Sequence, residues 1–371
     1  MPNIIGGTDN TSTTETAGIL SSTPNYNAII NGNFDFWQSA GTNPTIGGGS
    51  GTFYHADMWA LAGQTAVPLV TYLLDISQIP TTTQSGFYGN TCYANVSNTP
   101  SYTAATWSSL YRYAMEGNDL APLRDRVVTF NFWFRVSASA PVGAYSFSLY
   151  DPNNNRSYVT TFTTGAIGIW TPISITVPMT GFTSAADSSL ALEIYIANFA
   201  GSSFTTSTTE AWQTGAFFNA NTAVNPNVTN SHCRLSQVSM TAGNGVGAMG
   251  FQRNGRTIFE EQHSCYRYFE TSYDTFVVPG AVSTTGGQVG VRSVGSSASG
   301  CGVFKAQKRA IPSVNIYSPN SGAINNVYDL NTAADVAGTA IDIGMSSFIT
   351  SMPGGTAGDS VRFHFVADSR I

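Results

Sequence analysis

At 371 residues the chain is longer than one usual hydrophobic core, so two folded units are expected. Only 10% of its residues are charged, against about a quarter in ordinary globular proteins. Ser, Thr, Asn and Gly must therefore solvate the surface, which suits a turn-rich β protein and not a helical cytosolic enzyme. A net charge of −6 with two lysines, Lys305 and Lys308, leaves no basic footprint for nucleic acid, and no apolar run approaches the ~20 residues that span a bilayer.

Residues 1–26 form an arm rich in Thr, Ser and Asn that buries almost nothing by itself and is expected to dock on a larger particle. The arm lacks the basic and apolar segments of a secretory signal, so work outside a cell implies release by lysis or assembly. "INGNFDFWQ" (30–38) follows. Asn31, Gly32 and Asn33 read as a turn that launches a strand, with Phe34 and Phe36 facing the core and Trp37 pointing across. The rival reading makes these aromatics a platform for sugar, with Trp37 as the contact. In "HADMWAL" (55–61), Asp57 is either a glycan or calcium ligand or a buried carboxylate that fixes a loop. Trp107 and Tyr111 are further candidate glycan contacts.

From there the strand signal is strong. "VVTFNFWFRVSA" (127–138) alternates Val128, Phe130, Phe132, Phe134 and Val136 on one face with Thr129, Asn131, Trp133 and Arg135 on the other. Two strands joined by the turn Asp151–Asn155 come next, then alternation in "WTPISITVPM" and "LALEIYIANF", and "HCRLSQVSM" closes the region. "TAGNGVGAMG" (241–250) is a glycine-rich break. "FEEQHSCYRYFETSYD" (259–274) opens with helix chemistry and then alternates aromatics, and further strands run to Ile371. Tyr266, Tyr268 and Tyr273 exceed what a small sandwich must bury, so they are candidate contacts between copies, the alternative being that they fill their own core.

The expected architecture is all-β: a jelly-roll-like β-sandwich, a second smaller β-sandwich domain and an extended N-terminal arm. The expected boundaries are 1–26 for the arm, 27–245 for the jelly roll, 246–261 for a linker and 262–371 for the C-terminal β domain. Cys92, Cys233, Cys265 and Cys301 are scattered without a metal-ligand spacing and read as buried thiols, the alternative being disulfides. His232 beside Cys233 makes a poor zinc site. No cofactor is expected, and structural calcium is the one ion that Asp35 or the oxygen-rich "DPNNN" loop could take. Glu116, Asp119 and Asp125 cluster, but a solvated loop explains them better than a glycosidase pair. No GxSxG elbow and no triad-like histidine occurs, so no enzyme activity is expected.

"YNAIINGNFDFWQ", followed by "YHADMWAL", resembles the opening of a group of bacteriophage fibre and virion proteins with a carbohydrate-binding-module-like sandwich. Their usual form is "NGxFxxWQR" and then "YxADRW"; this chain has Ser39 and Met58 where the relatives carry Arg. The likeness continues through residues 110–135, through "CRLSQVSMTAG", "CYRYFETSYD" and "KRAIPSVNIYSPNSG", to the ending "FHFVADSRI". It implies a phage virion protein, a fibre, spike or head-decoration subunit that adheres to host surface polysaccharide, displayed as a homotrimer and held on other virion proteins through the arm. Alternatives are a decoration or cement protein that binds no glycan, a polysaccharide depolymerase, and a secreted bacterial glycan-binding module.

Overall fold

The computed structural model describes residues 27–371 except 40, 42, 66, 82–88, 244–250, 255–256, 295–296 and 355. The expected arm lies outside the described residues. The first part of the chain carries β1 (Thr45–Gly47), β2 (Gly51–Tyr54), β3 (Trp59–Gln64), β4 (Leu69–Asp75), β5 (Thr91–Val96), β6 (Trp107–Glu116), β7 (Val127–Ala138) and β8 (Ala144–Asp151). It continues with β9 (Arg156–Thr163), β10 (Thr171–Pro178), β11 (Leu190–Ala200), β12 (Thr205–Thr206), β13 (Trp212–Thr214), β14 (Asn219–Ala220) and β15 (Ser231–Ala242).

These strands form a β-sandwich of jelly-roll type. A six-stranded sheet runs in the order β1-β4-β5-β15-β7-β10, and a seven-stranded sheet in the order β13-β9-β8-β11-β6-β3-β2. The period of two fixes what meets between them: Phe130, Phe132 and Phe134 of β7 face inward and are fully buried, where Phe130 and Phe132 meet Phe147 of β8. The Tyr111 hydroxyl spans the core, donating to the carbonyls of Cys92 and Cys233 in the opposite sheet at 3.1 and 3.0 Å.

The opening motif departs from the expected strand. Residues 34–37 are not in a strand, and Asn31 and Phe34 both adopt left-handed backbone, with φ of 56° and 57°. Phe34, Phe36 and Trp37 consequently all turn inward, which an extended strand forbids. The side chain of Asn31 replaces the missing ladder bonds: its Nδ2 donates to the Phe36 and Asp57 carbonyls, both at 2.9 Å, and its Oδ1 accepts from the Phe36 amide. Gly32 is required by close approach, because a Cβ there would lie 2.0 Å from the carbonyl oxygen of Val238.

The second part begins with the helix α1 (Ile258–Tyr266), opened by a capping box of Thr257 and Glu260. It continues with β16 (Phe269–Thr271), β17 (Gln288–Val291), β18 (Ala298–Val303), β19 (Ser313–Tyr317), β20 (Asn326–Asp329), β21 (Ala334–Ala337), β22 (Thr339–Ile341), β23 (Ser347–Ser351) and β24 (Ser360–Asp368). The last strand organises this unit, pairing with β16, β17, β19 and β20, while β18, β23 and β22 form a separate sheet. Phe304, Phe348, Phe363 and Phe365 fill a core distinct from that of the sandwich.

Three of the four cysteines, Cys92, Cys233 and Cys265, are buried free thiols, whereas Cys301 is an exposed one and departs from the expectation of burial. No helix among the described residues is long and apolar enough to cross a membrane.

Candidate functional site

Most of the residues singled out in the sequence form joints inside the protein. Trp37 and Tyr111 are completely buried and Asp57 is 1% exposed, so none presents a surface to sugar, and the glycan contact considered for them is replaced by a packing role. Asp57 accepts from the Gln38 amide at 2.9 Å and from Gln38 Nε2 at 2.6 Å; burial raises its pKa and these two bonds oppose the rise. The Trp37 indole donates to the Phe34 carbonyl, and the Trp59 indole to that of Asn31.

The "CYRYFE" stretch does the same between the two units. Cys265 and Tyr268 belong to the sandwich core, and Glu261 of α1 accepts from the buried Asn31 amide. Arg267 pairs with Glu116 at 2.8 Å, and the Tyr268 hydroxyl donates to Asp119 at 3.1 Å. The acids considered as a catalytic cluster are thus partly engaged as joints. Glu270 is buried against Lys308 at 2.7 Å, both side chains fully enclosed. Tyr268 and Tyr273 are buried within their own chain, the latter stacked on His364 at 3.8 Å, and Tyr266 is half-buried with the Lys305 ammonium over its ring. Tyr268 and Tyr273 therefore offer no free face to a second copy.

The oxygen-rich sites proposed for calcium are filled by protein donors. Asp35 pairs with Arg253 at 2.8 Å and accepts from Asn33 and Asn90. Asp151 accepts from the Asn153 and Asn154 amides, the Asn154 side chain and Arg156. Among the described residues, no group of three or more His, Cys, Asp or Glu side chains is placed to hold a metal ion.

Trp107 lies on the outer face of the seven-stranded sheet and is half-buried. Phe218 stacks on it at 4.3 Å, and Tyr195 meets it edge-on. The segment after β11 is laid over this face: the Phe218 carbonyl accepts from Asn198, the Ala220 amide donates to Ser146 and the Phe217 amide to Ser157. At the other end of the face the Ile371 carbonyl oxygen accepts from Arg112 and Tyr54, and the Arg370 guanidinium lies 3.8 Å from the Tyr54 ring. The chain itself thus occupies both ends of this surface.

The outer face of the six-stranded sheet lies away from the inter-sheet core; Tyr93, Arg234 and Trp170 are only 6–7% exposed there, while Leu73, Asp75, Arg135 and His232 are partly exposed. Strand register sets its side chains in rows. The central row is Leu73, Tyr93, Arg234 and Arg135, drawn from β4, β5, β15 and β7, and Trp170 extends it just before β10. On one side lie Thr71, Asn95, His232 and Ser137; on the other, Asp75, Thr91, Ser236, Trp133 and Pro172. Arg234 lies 4.3 Å from the Tyr93 ring centre, pairs with Asp75 at 3.3 Å and donates to Ser137 at 2.7 Å. Burial raises the Asp75 pKa, but bonds from Ser77, Gln78 and Arg234 carry it below the usual carboxylate value. His232, outward where its neighbour Cys233 is inward, packs its ring edge-on against Tyr93 at 5.1 Å, and burial with the nearby Arg234 lowers its pKa.

Several polar atoms of this face are buried without a hydrogen-bond partner among the described residues: Nε of Arg135, the indole nitrogen of Trp170 and Oδ1 of Asn95. Such atoms cost free energy unless another molecule satisfies them. The sequence carried the signal: alternation in 127–138 places Trp133 and Arg135 on the face away from the core, and an outward Trp and Arg in a central strand are unusual cargo for mere solvation. Their neighbours Tyr93 and Arg234 become visible only once strand order is known.

No family model matches the sequence, and no curated protein matches it. Solved structures do resemble it. The family 11 carbohydrate-binding module of a cellulosomal cellulase of Clostridium thermocellum is 11% identical, with a TM-score of 0.29, over 56% of this chain and 99% of its own. TmCBM61 in complex with β-1,4-galactotriose is 10% identical, with a TM-score of 0.27, over 60% and 100%. The CBM22-1 xylan-binding domain from Paenibacillus barcinonensis is 11% identical, with a TM-score of 0.25, over 56% and 99%.

Proposed function

We propose that the chain is a non-catalytic recognition subunit of a bacteriophage virion, a fibre, spike or head-decoration protein, whose sandwich reads host surface glycans through the outer face of its six-stranded sheet. The observation that carries the glycan part is the central row of that face. An aromatic ring, two guanidinium groups and an indole stand in line across the strands, flanked by hydroxyl and amide side chains and provided with polar atoms that no group among the described residues satisfies. Sugar hydroxyls both donate and accept hydrogen bonds, and their C–H faces pack on rings and guanidinium planes. Each such contact is weak, so display in several copies, expected here as a homotrimer, supplies avidity.

The virion part is supported by the ordered motifs of the sequence, whose residues here tie the sandwich to the C-terminal unit through Asn31 with Glu261, Arg267 with Glu116 and Tyr268 with Asp119. Residues 1–26 serve in this reading as the docking arm. A glycan array probed with the full chain tests recognition: binding to a defined class of glycan is expected, and an empty array favours a cement protein. A chain lacking residues 1–26 is expected to melt unchanged and to fail to enter particles; normal incorporation would remove the docking role.

A further inference from the structure

Arg135 is placed where an arginine should not be left alone. It stands directly opposite Arg234 in the β7–β15 register, and like charges facing each other across strands repel. The three rows contain one carboxylate, Asp75, which is paired with Arg234. Two guanidinium groups and one carboxylate leave this patch at +1 on a chain whose net charge is −6, since His232 is held toward its neutral form. Arg135 makes no ion pair and no hydrogen bond among the described residues, and its Nε is shielded from water. The turn before β10 brings Gly168 against it with φ of +83°, and a Cβ at that position would lie 3.6 Å from an Arg135 terminal nitrogen. Beside it the Trp170 indole, 7% exposed, also lacks an acceptor.

Resting on the glycan reading above, we infer that this spot selects acidic glycans: Arg135 takes the carboxylate of a uronic-acid-type sugar residue, while the Tyr93–Arg234 end of the row carries the neighbouring ring. A guanidinium and a carboxylate match as a planar, two-pronged pair, and the phosphodiester arm of the test below separates this from the phosphate that a guanidinium also takes. The ligand's single negative charge cancels the surplus positive charge and relieves the Arg135–Arg234 repulsion.

The test measures binding of the full chain, by calorimetry, to oligogalacturonate, its methyl ester, a phosphodiester-linked glycan polymer and a neutral oligosaccharide. Oligogalacturonate is expected to bind, its ester to bind far more weakly, and added salt to weaken the acidic ligand. Arg135→Gln should lose about 10- to 100-fold of that affinity, the range of a charge-assisted hydrogen bond. It should melt at or above the wild-type temperature because a repulsion is gone. Arg135→Lys, which keeps the charge without the fork, should lose part of the affinity, and the exposed Arg126→Gln should change nothing. Equal binding of ester and acid, or an unaffected Arg135→Gln, overturns the acidic preference and leaves glycan recognition standing. Preference for the phosphodiester polymer overturns the carboxylate assignment. Binding to none of the four, together with an empty glycan array, overturns both readings.

Discussion

Replacing Lys308 by Met tests whether the "CYRYFE" stretch is anchored in the C-terminal unit by its buried ion pair. Lys308 and Glu270 are fully buried with nitrogen and oxygen 2.7 Å apart, and Glu270 is otherwise held by the Lys305 amide at 3.0 Å. At an effective dielectric near 20, attraction across that distance is about 6 kcal/mol. Desolvation of the two ions cancels most of it, so the pair is worth little against an apolar pair of similar volume. A lone surviving charge is another matter and costs about 3–5 kcal/mol. Lys308→Met should therefore destabilise by about 3–5 kcal/mol, and Lys308→Met with Glu270→Gln should be at least ~2 kcal/mol more stable than the sum of the single effects. Urea unfolding followed by two probes locates the loss. All six tryptophans precede residue 213, so their fluorescence follows the sandwich, whereas circular dichroism follows both units. The circular dichroism transition should move to lower urea in the single variant and return in the double one. Additive single effects, or a Lys308→Met transition at the wild-type midpoint, would refute that anchorage.

Two further outcomes follow from the packing. Phe34→Ala should cost about 3–5 kcal/mol, because the ring is completely buried in the sandwich core; an unchanged melt accompanied by lost glycan binding would return the motif to the surface. Stability should fall as pH drops below 6.5. Nδ1 of the buried His364 meets the Ser272 hydroxyl, which also accepts from the Phe365 amide, and Nε2 meets the Ser283 carbonyl. Burial lowers its pKa against the opposing Ser283 carbonyl, and burial alone lowers that of His55. The unfolded chain therefore takes up protons first, and the stability present above 6.5 is lost as pH falls toward the folded values. An NMR titration of His364 with its midpoint at or above 6.5 would contradict this.

The sandwich was legible where side chains alternate without interruption. Residues 127–138 coincide with β7, and the turn at Asp151 joins β8 to β9 as a hairpin, because a period of two and an Asn-rich turn are local properties. The opening motif was not legible, since its conformation depends on Asn31 standing in for a strand partner and on Gly32 touching Val238, contacts with residues distant in sequence. The same limit applies to the candidate site. Trp133 and Arg135 were placed on the outward face by alternation alone, but Arg234 and Tyr93 join them only through the pairing of β15 with its two neighbours. Trp37, Asp57 and Tyr111 were candidate glycan contacts by residue type, and burial assigns them to packing.

A crystal structure of the chain with a bound oligosaccharide tests the central claim most directly. Sugar lying along Tyr93, Arg234 and Arg135 on the six-stranded sheet is the expected result. Sugar seated against Trp107 on the opposite face, or on the C-terminal unit, would contradict it.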